Sequence, residues 1–378
     1  MRLKSTIVGM FVASAVTCAA CASDSATPAK PVALFPDGAS VASGAKIESA
    51  DFPAEPLKFY RFECRMRSPG KGFVAALWRN PDATWGRDLQ GRPGDLRAED
   101  YQLVQQSDDW HTVVFYSRAQ ANAVAGCLRV QALDESMEIE SASVTGPASA
   151  VEVLAWSESL LDGANIPTSV GTGALPRTVA ALRSGGTLRI AFLGDSIMQD
   201  AANSPVDLWL ESERSGLRAE IITAIGGGAG MERWSHPDKF PGHDLNLRAA
   251  VIDGRPDLVL IGGISTRSID DTRAIIGRIR DGARAIDAPE PDIALLTGPF
   301  GEWAKPAPGI DAAALGALAS ETGCAFLDLR AAWIEAIAAS GREPATFYRD
   351  AIHGSATGKH LQGRIIADWI LSSLNASR

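Results

Sequence analysis

The stretch Thr187–Asp200, TLRIAFLGDSIMQD, decides how the carboxyl-terminal half of this 378-residue chain folds. Leu188 to Phe192 is a run of strand-forming residues with only Arg189 polar, and it ends on Gly194-Asp195-Ser196 instead of on a turn that would reverse the chain. A nearly all-apolar run of this length is what a strand covered on both faces requires. A serine placed where such a strand empties into a helix has its hydroxyl exposed and its backbone N–H aimed at the same space.

The pattern repeats downstream. AEIITAIGG, DLVLIGG, DIALLTG and AFLDLR are further apolar strands, and helical stretches such as DTRAIIGRIRDGARAI and DAAALGALASETG lie between them. Five strands alternating with helices predict an α/β region, residues 187–378, built on a doubly wound, five-stranded parallel sheet with its site at the carboxyl ends of the strands. Ser196 sits at the end of the first strand.

Upstream the period changes. KFYRFECRMR, GFVAALWR, DYQLVQQ, WHTVVFYS, CLRVQAL and MEIESASV are short β-type stretches separated by turn clusters such as SPGKG and GRPGD, which predicts a jelly-roll-like β-sandwich over residues 31–150. Residues 151–186 form a mixed lead-in in which LPRTVAALRSGG reads as one helix. Trp78, Trp85, Trp110 and Tyr101 could give the sandwich a sugar-stacking face, although tryptophan in a small β-domain belongs more often to the core. The amino end has Arg2 and Lys4, an apolar run from Ile7 to Val16 and the small residues TCAACAS, the signature of an export signal over residues 1–22. Cleavage can fall after Ala22 or before Cys21, which would then carry a lipid and provide the chain's one link to a membrane. The chain is therefore expected outside the cytoplasm, as a periplasmic, cell-surface or secreted protein.

A formal charge of -9 without a Lys/Arg block argues against a nucleic-acid partner. Cys64, Cys127 and Cys324 lack metal-ligand spacing, so no zinc is expected. Cys64 alternates with Tyr60, Phe62 and Met66 and should face a core, whereas Cys127 shares its face with Arg129 and Gln131. An export compartment permits a disulfide between them, but their faces disagree.

A serine hydroxyl needs a base to remove its proton and a further group to orient that base. Of five histidines, His236 and His243 lie in a loop, His360 on a helix beginning near Thr357, and His111 on a sandwich strand. His353 follows Asp350 by three residues just before an amphipathic helix carrying Leu361, Ile365, Ile366, Trp369, Ile370 and Leu374. A tight loop there can present carboxylate and imidazole together. Asp108 and His111 share the same spacing, and position decides against them, because they lie outside the α/β region.

GDSI after a strand, the glycine cluster after the second strand and DAIH before the last helix resemble an SGNH (GDSL-type) hydrolase, from Leu188 to the end. The resemblance implies a flavodoxin-like sheet and a catalytic triad of Ser196, His353 and Asp350, with no cofactor or metal. It also implies an oxyanion hole made by the amides of Ser196 and Gly227, the latter within AIGGGAGMERW, where Gly226 and Gly228 are alternatives. The family's G-x-N-D block falls on Gly262, Gly263, Ile264 and Ser265. Ile264 cannot donate where the family has asparagine, so either another group substitutes, with Ser265, Thr266, Arg267 and Asn203 as candidates, or activity is weak. Asp195 and Asp200, on either side of the nucleophile, read as helix-start caps or dipole partners, and Trp303 could wall the pocket after the fourth strand.

The expectation is an exported serine esterase that hydrolyses acyl esters, O-acetyl groups on a carbohydrate by family analogy. The partner implied is a small-molecule or polysaccharide ester. Rival readings are a lipase, thioesterase or acyltransferase with the same triad, or a carbohydrate-binding protein that has lost activity along with the asparagine.

Overall fold

The structure is a computed structural model that describes residues 30–81, 100–120, 123–167, 171–298 and 311–376. The expected export signal with Cys21, and Trp85 and Trp303, lie outside the described residues.

Two antiparallel sheets occupy residues 32–145. In one, Val32–Ala33, Met137–Thr145, Phe59–Ser68 and Ser107–Arg118 pair in that order, with Ala39–Val41 also on Met137–Thr145. In the other, Lys46–Glu48, Ala125–Ala132, Gly72–Arg79 and Asp100–Leu103 pair in order, with Phe52–Pro53 also on Ala125–Ala132. Alternate residues of both sheets, among them Phe62, Cys64, Met66, Val74, Trp78, Leu128 and Val130, bury one shared core. Phe52, Tyr60 and Phe62 surround the Trp78 ring at 5.5–6.1 Å, so Trp78 belongs to this core and not to a sugar-binding face. Cys127 packs with Ala75 and Leu77 in a separate cluster, away from Cys64. The permitted disulfide does not form; both thiols are free and buried, and burial pushes each up to about 12.

The third sheet has strands in the order Gly171–Thr172, Ala325–Leu327, Asp292–Leu296, Leu258–Gly262, Thr187–Gly194 and Arg218–Ile225. The last five are parallel, and the two-residue strand at the opposite edge is antiparallel. Among the described residues the sheet thus has six strands, one more than expected, because two residues are too few to show any period. AFLDLR is a strand only to Leu327: Asp328 accepts a hydrogen bond from the Ala331 N–H and caps the helix Leu329–Ser340.

A helix at Ala150–Leu160 follows the last β-sandwich strand, opened by a capping box between Ser149 and Glu152. Its Trp156 packs on Tyr116 at 5.2 Å and on His360 of the final helix, Ala356–Ala376, at 4.7 Å. Beside it, Arg118 of the β-rich region forms a bidentate, buried ion pair with Asp207 of the helix Val206–Glu213, and its guanidinium lies 4.4 Å over the Phe59 ring. Removing one member of such a pair strands the other charge in the interior. Asp207→Ala is expected to cost about 3–5 kcal/mol in urea unfolding, and joint replacement by apolar residues much less.

His360 is fully buried. Desolvation, and then the neighbouring Lys359 charge, hold its pKa down at about 3. Below the unfolded-state value of about 6.5 the unfolded chain binds a proton that the folded chain refuses. Its stabilising effect is complete above that value and is lost as pH falls from it toward 3. Between pH 6.5 and 4 this amounts to about 3 kcal/mol, and His360→Leu should remove that part of the pH dependence in paired unfolding curves. Equal slopes for the two proteins would contradict the assignment.

Candidate active site

Ser196 opens the helix Ser196–Asn203 directly after the strand Thr187–Gly194, which is paired on both sides by parallel neighbours. Two glycines make this junction possible. A Cβ on Gly194 would sit 2.3 Å from the Gly262 carbonyl oxygen of the adjacent strand, and a Cβ on Gly263, at φ 88°, would sit 2.2 Å from the Asp195 carboxylate. Glycine at both positions lets the strand ends and Asp195 close together. Asp195 is the N-cap, accepting from the Ile197 N–H at 2.9 Å. The Ser196 N–H is at the first helical position, where no intrahelical acceptor exists.

The loop before the final helix is tied down at several points. Tyr348 bridges to Gly354, the Arg349 N–H donates to the His353 carbonyl at 2.9 Å, and the Ser355 N–H donates to the Phe347 carbonyl at 3.1 Å. Asp350 Oδ1 accepts from the amides of Ile352 (3.0 Å) and His353 (2.9 Å), so the carboxylate organises its own turn. The same carboxylate lies 2.8–2.9 Å from His353 Nδ1, and His353 Nε2 lies 2.8 Å from Ser196 Oγ. The three residues singled out in the sequence, from segments more than 150 positions apart, therefore form one hydrogen-bonded line. An ionised carboxylate only accepts, so Nδ1 carries the proton and Nε2 is left to accept from the serine hydroxyl. Desolvation pushes the Asp350 carboxyl upward, but the bonds from His353 and the two amides outweigh it and hold the group well below the usual carboxylate range. Asp350 stays anionic wherever the protein is folded at ordinary pH.

Asp200 was expected to be a cap or dipole partner and is neither. It lies in the second turn of the Ser196 helix, 5% exposed, and its Oδ2 accepts from the Gly354 N–H at 3.1 Å, next to His353. Lys359 Nζ lies 3.9 Å from its other oxygen and donates to the Tyr101 carbonyl of the β-rich region at 3.2 Å. Arg349 stacks over the Tyr101 ring at 5.3 Å. Asp200 thus pins the histidine loop to the serine helix, and the strand carrying Tyr101 supports the loop from outside. An acidic residue four positions after Ser196, on the face turned inward, is the available signal.

A pocket of about 210 Å³ opens beside Ser196. Gly228, Ala229 and Gly230 form one wall, Ile264 and Ile352 are its apolar surfaces, and Asp195 and Arg267 complete it. Gly227 is not among the lining residues: the turn at Gly228, φ 62°, brings the next residues round to the pocket. The Gly226 amide donates to the Gly194 carbonyl at 2.9 Å and the Ala229 amide to the Gly226 carbonyl at 3.2 Å, so both are engaged. Ile264 does face the pocket, in the position where a donor was missed. Of the proposed substitutes, the Thr266 hydroxyl donates to the Gly263 carbonyl at 3.1 Å, Asn203 does not line the pocket, Ser265 lies in the 3-10 turn Ile264–Arg267, and Arg267 lines the pocket.

The other histidines are placed otherwise. His111 lies on a β-rich strand with Nδ1 3.3 Å from the Asp109 carbonyl. His243 packs edge-on against Trp234. His236 has Ser235 Oγ at 2.7 Å, but that hydroxyl also donates to Asp271 at 2.5 Å, so the carboxylate takes the serine proton's bond and no base-activated serine results. Trp110 lies under Arg67 at 5.4 Å.

No family model matches the sequence, and no curated protein matches it. Solved structures do. A two-domain esterase active on acetylated mannans is 17% identical over 56% of this chain and 57% of its own, TM-score 0.43. A peptidoglycan O-acetylesterase is 10% identical over 92% of this chain and 74% of its own, TM-score 0.31. Both of those proteins are esterases. A carbohydrate-binding module from a Cellvibrio mixtus lichenase, in complex with cellotriose, is 10% identical over 32% of this chain and 88% of its own, TM-score 0.21. This chain spans little more than half the length of the mannan esterase.

Proposed function

We propose that the protein is an exported serine esterase of the SGNH type, with a flavodoxin-like catalytic region at residues 187–378 and a jelly-roll-like accessory region at residues 31–150, that removes O-acetyl groups from a carbohydrate. The observation that carries this reading is the line Ser196 Oγ, His353 Nε2, His353 Nδ1, Asp350, with 2.8–2.9 Å at each step. In the reaction His353 takes the hydroxyl proton as Ser196 Oγ attacks the acyl carbon. Asp350 stabilises the imidazolium, which then gives its proton to the leaving alcohol oxygen. Water, deprotonated by the same imidazole, releases the acid and restores Ser196.

The Ser196 N–H, at the positive end of its helix, is one oxyanion donor. The second is an amide of the glycine turn, from Gly227 or from Gly228 or Gly230 of the pocket wall, since the Gly226 and Ala229 amides are engaged. A carbohydrate substrate is supported by a groove of about 780 Å³ lined by Gln105 and Gln106 on one side and, on the other, by Arg349 and Ser355, which flank the Asp350–His353 turn. Amide, guanidinium and hydroxyl groups at such a boundary suit a polyhydroxylated chain.

Acetate release from O-acetylated oligosaccharides by the parent protein, and none by Ser196→Ala, is the expected result. Ile264 in the donor position favours one competing reading, a carbohydrate binder without turnover; retention of an oligosaccharide without acetate release by the parent would establish it instead.

A further inference from the structure

Arg267 is exposed at the end of the 3-10 turn after the third parallel strand and lines the pocket beside Ser196. Among the described residues it makes no ion pair or hydrogen bond, in contrast to Arg349, which lies 3.7 Å from Asp350, and to Arg364, which pairs with Asp368 at 3.0 Å. The carboxylate that shares the pocket, Asp195, is turned to the Ile197 amide as a helix cap. The remaining lining is apolar side chain, Ile264 and Ile352, or backbone. A guanidinium without a counter-charge, set beside apolar walls, is a recognition element for a planar anion, which it can hold with two parallel hydrogen bonds.

The pocket is also larger than an acetyl group needs. Its 210 Å³ equals the liquid share of roughly seven waters, whereas an acetyl group has three heavy atoms. We infer that the site selects esters bearing a carboxylate near the scissile bond and that Arg267 is the residue that reads it. The carboxylate can belong to the acyl part, as in a hemisuccinate, or to the sugar, as in an O-acetylated uronic acid. This inference rests on the esterase reading given above.

The test uses the full chain and two matched pairs: aryl hemisuccinate against aryl butyrate, and O-acetylated methyl glucuronoside against O-acetylated methyl glucoside. In the parent, kcat/KM should favour the charged member of at least one pair by tenfold or more, and the pair that responds identifies the source of the carboxylate. In Arg267→Met the ratio should fall by at least tenfold, through KM, and Arg267→Lys should restore part of it. An equal loss on charged and neutral esters, carried by kcat, would overturn the inference and make Arg267 an oxyanion donor in place of the asparagine. An unchanged ratio would overturn it as well. If no ester is turned over, the esterase reading fails by itself. The recognition claim is then decided by calorimetric binding of methyl glucuronoside and monomethyl succinate to Ser196→Ala with and without Arg267→Met. Binding of either that disappears with the guanidinium and weakens with salt supports it, and binding of neither, or binding indifferent to Arg267, refutes it.

Discussion

Ser196→Ala is expected to lower kcat on an aryl acetate by about a millionfold, the loss seen when the nucleophile of a comparable Ser-His-Asp unit is deleted. The effect is this large because the residual site, which keeps His353 and its Asp350 partner, has lost the oxygen held against the acyl carbon, so the only nucleophile left is a water that must attack the ester without a covalent intermediate. The substitution should leave the fold intact, since Ser196 is the first residue of its helix and the helix is capped by Asp195, not by the serine. Circular dichroism and urea midpoints within error of the parent, with turnover at background, are the paired observations to expect. Substantial turnover by the variant would mean that chemistry occurs elsewhere on the chain.

Asp350→Asn is expected to reduce kcat by about 10³ to 10⁴. The asparagine would fit the loop and could still accept from the Ile352 and His353 amides through its carbonyl oxygen, so the loop should hold. Its amide nitrogen, however, would meet His353 Nδ1 as a donor and select the tautomer with the proton on Nε2. That ring then offers a proton to Ser196 where it must accept one. The Asp350 side chain is 47% exposed, so water can partly take over the carboxylate's role, which places the loss below that of the serine deletion. Because Asp350 is held ionised far into acid, loss of activity on mild acidification should not report its protonation. A variant that retained more than a tenth of parental kcat would contradict the orienting role.

Much of the fold is legible in residue patterning, because both regions follow strong periods. The parallel strands are apolar throughout since they are covered on both faces, and the sandwich strands alternate because one face meets the shared core. What patterning does not reveal is short or distant. The edge strand Gly171–Thr172 exists only through its pairing with Phe326 and Leu327, and two residues carry no period. The strand end at Leu327 was overrun because Leu329 continues the apolar run, although Asp328 is a helix cap. The capping box at Ser149 and Glu152 is a local signal, visible in the sequence as S-x-x-E, and it opens the helix whose Trp156 packs against both regions.

The site divides in the same way. Ser196, Asp350 and His353 can be singled out because histidine is scarce, five in the chain, and because the serine ends a strand while the Asp-x-x-His pair precedes the last helix. Asp200 could not be assigned its partner from spacing, since the Gly354 amide it binds lies 154 positions away and amides leave no mark in a sequence. Gly227 follows only from motif register within a run of glycines. The backbone turn at Gly228 brings Gly228, Ala229 and Gly230 to the pocket wall, and a run of glycines carries no side-chain signal that separates one from the next. Ile264, by contrast, was recognised as a departure from side-chain chemistry alone, and it does line the pocket.

The central claim is that His353 makes the Ser196 oxygen a nucleophile. The most direct measurement is intact-mass and peptide analysis after exposure to a reactive aryl phosphonate ester, whose phosphorus forms a bond to the attacking oxygen as the aryloxide leaves. The account predicts one phosphonyl group per chain, on Ser196, with His353→Ala left unlabelled under the same conditions. Label on another residue, or labelling of Ser196 that is as fast without His353, would contradict it.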